Sequence, residues 1–167
     1  EQLDIVDLDA QHELRPAGDH TLVIGAGYRR AHDDIANTAV IGFAPPERNL
    51  WWTHLALQDE WAVTPALGLT AGLRAERNPY TGLEWLPNVR FAWRTRHEHL
   101  VWGALSRALR APSRIDREAF TPVLRTNDTF ESEVANVAEL GYRAQLTPEA
   151  SVSATVFMEV TRASTSV

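Results

Sequence analysis

Apolar residues recur at every second position along most of the chain. Leu67, Leu69, Ala71, Leu73 and Ala75 fall on one face of an extended segment, and Gly68, Thr70, Gly72, Arg74 and Glu76 fall on the other. A period of two is the signature of a strand whose faces meet different surroundings. The same division separates Leu22, Ile24, Ala26 and Tyr28 from Thr21, Val23, Gly25, Gly27 and Arg29, and Ala138, Leu140, Tyr142 and Ala144 from Glu139, Gly141, Arg143 and Gln145. Eight such runs are predicted as strands, at 4–14, 20–30, 49–63, 66–76, 87–94, 100–108, 133–146 and 151–162. Several exceed the five or six residues usual in globular sheets.

The connections add a second regularity. RPAGD, TPA, TRHEH and TPEA are short turns, whereas 30–48, 77–86 and 109–132 read as long loops, so that short and long alternate. An antiparallel up-and-down meander with its tight turns on one rim and its long loops on the other produces this order, as transmembrane β-barrels do. A Greek-key sandwich has no reason to keep it. The expectation is therefore an all-β chain of about eight strands forming part of a transmembrane β-barrel. Within the longest loop, Pro112 and Ser113 allow one helical turn up to Glu118, with Ser113 as its cap.

Composition narrows the class. The chain has 167 residues, 44% of them apolar and 23% charged, without cysteine, so a disulfide frame and thiolate metal sites are excluded. All 16 basic residues are arginine and the formal net charge is −6, which opposes a general grip on nucleic acid. No run approaches the ~18 apolar residues of a spanning helix, and EQLDIVDLDA lacks the basic start and apolar core of a signal peptide.

The motif series carries a family resemblance. The QDEW strand, the GLR strand followed by YTG, the Pro-x-x-Arg strand ending in Trp, the SRALRAPSR junction, and SE followed by ELGYR occur in the order found in the barrel domain of TonB-dependent outer-membrane receptors, over nearly the whole chain. The chain resembles an internal segment of such a barrel, with plug, signal peptide and the aromatic-terminated last strand absent. The resemblance implies a Gram-negative outer membrane, lipid against the apolar face, and a wet or plugged lumen against the small polar one. It further implies import of a ferric siderophore or other metal chelate by the parent receptor, with TonB reached only through the plug. No catalysis, resident cofactor or direct iron ligand is expected. Alone in water, the segment is expected to close on itself, pack in two layers or self-associate.

Other constellations weigh less. GxG at Gly25 and Gly27 lacks the third glycine and following helix of a dinucleotide site, and reads as a strand with small lumen positions. His97 and His99 flank Glu98 in a turn without a third ligand; Glu131, Glu133 and Glu139 read as lumen or loop charges paired with Arg107 or Arg143 rather than as a glycosidase pair. Asn127, Asp128 and Thr129 match a glycosylation pattern that has no meaning in a bacterial chain. Trp51, Trp52, Trp61, Trp85, Trp93 and Trp102 sit near strand ends, as interfacial girdles do. The candidate ligand contacts lie in the long loops: Tyr80 and Trp85 for stacking on a planar chelate, and Arg110, Arg114, Arg117 and Arg125 for its negative charge. Mutual pairing of Arg114, Asp116, Arg117 and Glu118 is the competing reading. A soluble envelope β-sandwich with a tryptophan platform for carbohydrate is the alternative to the barrel.

Overall fold

A computed structural model describes residues 1–163 apart from 17, 97, 125, 127 and 128. Eight long strands form one antiparallel sheet in chain order: β1 (Gln2–Leu14), β2 (His20–Asp34), β4 (Glu47–Thr64), β5 (Leu67–Asn78), β6 (Gly82–Arg96), β7 (His99–Arg110), β9 (Glu133–Thr147) and β10 (Ala150–Ala163). Where a short turn joins two strands it leaves them no other neighbour within reach, whereas β2 with β4 and β7 with β9 pair across long connections. β1 and β10 have no outer partner among the described residues, so the sheet is open. Among the described residues the only other sheet is a two-stranded one in the loops, too small to be the second layer that the sandwich alternative needs.

Register carries the two faces across the whole sheet. Ile24, Leu57, Leu73 and Pro87 stand in line through successive pairs, as do Leu105, Ala138 and Met158. All of these but the half-buried Ala138 are exposed although apolar; Leu140, at the middle of the band, is 50% exposed. Such a continuous apolar face is stable only against lipid or further protein. Two tryptophan levels bound it. Trp61 and Trp93 lie toward the tight turns, Trp51 and Trp85 toward the long loops, all with apolar-face parity. Trp51 and Trp61 are about ten residues apart, ~33 Å along the strand and ~23 Å across a membrane at a tilt of ~45°, close to the ~25 Å apolar band of outer-membrane barrels.

The opposite face is polar and locally paired. Arg29 donates to Asp7, Arg74 to Glu76 at 2.8 Å, and His54 lies 3.3 Å from Asp9. Its small residues make room for larger neighbours. A Cβ on Gly141 would stand 2.2 Å from the indole of Trp102, and one on Gly27 would stand 2.1 Å from the His54 ring. Gly25 and Gly27 are thus interior positions of β2, with no phosphate loop. The girdle expectation is corrected for two tryptophans: Trp102 covers Gly141 on the inward face, and Trp52 lies beside Arg29 and His54 there.

Two expectations about the connections change. The segment 77–86 is not a long loop: β5 and β6 extend until Asn78 pairs with Gly82, leaving a turn at 79–81. Asn78 accepts from the amides of Tyr80 and Thr81, and Gly82 takes φ +81°, so the turn is specified locally. The loops 35–46 and 111–132 are also joined, because β3 (Gly42–Phe43) in the first pairs with β8 (Ala119–Phe120) in the second.

The ladder between β6 and β7 stops at Asn88↔Ser106, one residue short of Pro87. Proline has no amide hydrogen to donate, so pairing ends where the ring begins. Above it β6 continues with β5 and β7 continues with β9, and the sheet forks. Thr81 Oγ1 and Ser132 Oγ, 2.8 Å apart, bridge the open end of the fork.

Candidate functional site

The rim with the long loops holds most of the buried side chains among the described residues, and α1 (Arg114–Glu118) organises it. Ser113 caps the helix as expected. Its amide and hydroxyl each donate to Asp116 at 2.8 Å, and Asp116 returns its own amide to the Ser113 oxygen at 3.3 Å, a reciprocal capping box. These bonds, led by the Ser113 amide, hold the Asp116 carboxyl below its usual value. A folded value below the unfolded one means that the cap's contribution is present above about pH 4 and is lost as pH falls through the lowered value. Backbone amides of 113–118 are expected to exchange faster at pH 3 than at pH 6 after correction for intrinsic rates. Asp116→Asn is expected to bring the faster exchange to pH 6; equal protection in all three conditions contradicts the capping role.

Arg114 is 7% exposed by side chain, and its fork is fully engaged. Nε donates to Glu118 at 2.8 Å, Nη1 to Asp33 at 2.8 Å, and Nη2 to the carbonyl of Pro45, with the guanidinium over the Phe43 ring at 5.1 Å. Arg48 meets the other Glu118 oxygen at 3.1 Å. Arg117 donates to the carbonyls of Phe130 and, at 3.0 Å, Tyr80. The Tyr80 hydroxyl is pushed up to about 12 by burial and then by the nearby Glu118 charge, so the phenol stays neutral. Arg110 is exposed and bridges Glu133 at 2.9 Å and Asp116 at 3.4 Å.

The structure brings together Tyr80, Arg114 and Arg117, with Arg110 adjoining through Asp116. It separates Trp85, which is no loop residue: it pairs with Ala75 inside β6 and faces outward. Arg125 lies outside the described residues, as do His97, Asn127 and Asp128. His99 instead bonds the Tyr142 hydroxyl at 2.6 Å. The expected mutual pairs are corrected too: Arg114 takes Glu118, but Asp116 takes Arg110, and Arg117 takes carbonyls. Glu133 pairs with Arg110, while Arg107 faces Glu84 at 4.0 Å. Asp33 and Arg48 went unnoticed in the sequence because their partners are distant along the chain.

Below the rim, the inward face holds a groove of about 630 Å³ lined by Thr21, Glu60, Thr70, Arg90, Trp102 and Glu139. It joins acceptors, one cation and an indole on one wall.

An open antiparallel wall with an apolar outer band, two aromatic levels and a loop-covered rim defines a segment of a transmembrane β-barrel. The family model described as TonB dependent receptor-like, beta-barrel, matches residues 3–161, and the chain belongs to that family. The family consists of outer-membrane receptors of Gram-negative bacteria and not of enzymes, which sets the apolar band in the outer membrane. No curated protein matches the sequence. Among solved structures, the siderophore receptor PirA of Pseudomonas aeruginosa is similar with TM-score 0.80 and 21% identity over 93% of this chain and 30% of its own. A mutant of the ferric enterobactin receptor PfeA from the same organism gives 0.75 and 20% over 96% and 27%. PirA of Acinetobacter baumannii gives 0.77 and 14% over 93% and 26%. At these identities the likeness is one of fold, and the chain spans less than a third of each of those structures.

Proposed function

We propose that this chain is part of the barrel wall and outer vestibule of a receptor that imports a ferric siderophore or similar metal chelate. The observation that carries the reading is the tied rim: two long loops are locked together beside the inward face, where cargo arriving from outside must pass. Receptors of similar fold are named for siderophores and ferric enterobactin. Further strands on the free edges of β1 and β10 would complete the barrel, and a plug elsewhere in the parent would reach TonB. An anionic chelate would keep its iron, and the protein would supply cationic forks and flat rings.

Within this reading the arginines divide. We assign Arg110, exposed on the rim, and Arg125 to the cargo, whereas Arg114 and Arg117 act as positioning residues that hold the loop and Tyr80 in place. Radiolabelled iron uptake by cells carrying the intact receptor tests it. Replacing 121–131 by a short Gly-Ser linker is expected to abolish high-affinity uptake while the quantity of heat-modifiable barrel in the membrane stays constant. Unchanged uptake of every chelate tried, from a normal quantity of barrel, would remove the rim from the site.

A further inference from the structure

The fork above Pro87 opens onto the apolar outer face, and a groove of about 310 Å³ runs there along Pro87, Val89, Leu105, Ala138, Met158 and Val160. All six share the outward parity of their strands. Arg107 and Asn136, paired across β7 and β9, close its loop-side end. Beyond them a wider cleft adds Arg162 and Arg117, with Glu84 and Glu131 as its carboxylates.

The two cations here lack the close carboxylate that several arginines elsewhere hold. Arg29, Arg48, Arg74, Arg110 and Arg114 each hold a carboxylate at 3.1 Å or less. Arg107 reaches only Glu84, at 4.0 Å, and its Nε is buried without a hydrogen-bond partner among the described residues. Arg162, on the last strand and exposed, has no ion pair among them. An apolar groove at bilayer depth that ends in underused guanidinium groups at the level of the headgroups is complementary to an amphiphile: chain along the groove, anion on the arginines. Its open end faces the long-loop side, so the occupant comes from the outer leaflet. A guanidinium fork holds a headgroup phosphate through two parallel donors.

We propose that this fork is a binding site for a phosphate-bearing lipid of the outer leaflet, with one acyl chain on Val89, Leu105, Ala138 and Met158 and a phosphate on Arg107 and Arg162. The site rests on the outer-membrane reading; its groove lies on the outward face, and its headgroup end adjoins Tyr80 and Arg117 of the rim. The lipid fills the gap that Pro87 leaves in the ladder and seals the wall there.

The test uses the intact receptor in phosphatidylcholine nanodiscs containing a small fraction of bisphosphorylated lipid A or its phosphate-free derivative, with retained lipid counted by native mass spectrometry. Wild type is expected to retain the bisphosphorylated form at least tenfold more than the phosphate-free form. R107Q/R162Q is expected to lose that preference, and Ala138→Phe, which fills the groove, to lower retention of both forms. Arg15→Gln, on the tight-turn rim, is expected to match wild type. Equal retention by wild type and R107Q/R162Q overturns the proposal, as does complete displacement of the lipid by millimolar inorganic phosphate, which would indicate a bare anion site. Iron uptake, measured in parallel, reports on the receptor reading alone: uptake lost in wild type contradicts that reading, whereas uptake kept with no lipid preference contradicts only the lipid site.

Discussion

Arg114→Ala in the intact receptor is expected to undock the 111–132 loop from the sheet, at a cost of about 3–5 kcal/mol, the range for removing one partner of a buried ion pair. The size follows from what remains. Asp33 and Glu118, 13% and 7% exposed by side chain, would keep their charges without the fork that lies between them, and two proline carbonyls would lose a donor. Lysine is not expected to rescue the change, because one ammonium cannot span Glu118, Asp33 and the Pro45 carbonyl in the directions the guanidinium uses. The barrel itself should persist, since the strands are held by their own ladders. Limited proteolysis separates the two: cleavage within 111–132 should accelerate many-fold while the strands remain protected. A loop that resists protease as in wild type would mean that β3 and β8 pairing suffices without the arginine.

The second large effect belongs to the outer face. Leu140→Arg is expected to impair membrane assembly by about 2–4 kcal/mol, the cost of a cation on the lipid face near the midplane. Leu140 stands between Gly103 on β7 and Val156 on β10, well inside the two tryptophan levels. Leu69→Arg is expected to cost only ~0–1 kcal/mol, because Leu69 is level with Trp61 and Phe91, where an arginine reaches the interface. Thr70→Arg, one residue away but facing inward toward Arg90 and Glu60, should assemble normally. Folding titrations into vesicles of defined lipid give the three values, and similar costs for Leu140 and Thr70 would invert the face assignment.

The strands were legible because period two survives wherever one face meets lipid and the other does not. Their lengths were not. β2 continues through Ala31–Asp34 and β6 begins at Gly82, in polar stretches that read as loop. Neighbouring strands offer those residues a ladder, and hydrogen bonding to a partner outweighs a weak local preference. The same cause hid the brevity of the 79–81 turn. Candidate site residues fared differently from one another. Ser113 was recognisable because a capping box is local chemistry over three residues. Arg114 stands out in the sequence, but its role does not, because a guanidinium in a loop reads alike whether it meets a chelate or Asp33, and Asp33 is far away along the chain. Trp85 was misplaced because a tryptophan beside a presumed loop and one in an interfacial belt have the same neighbours in sequence.

Alternation, turn residues and motif order by themselves determined the all-β meander, the lipid and lumen faces, the helical turn and the family, since each depends on contacts between residues a few positions apart or on order along the chain. Tertiary structure alone decided that two loops pair through β3 and β8, that Arg114 is a buried staple, and that the sheet forks at Pro87. Those outcomes depend on which distant groups arrive at hydrogen-bonding distance, and on a missing amide whose consequence appears only when a neighbouring strand comes to use it.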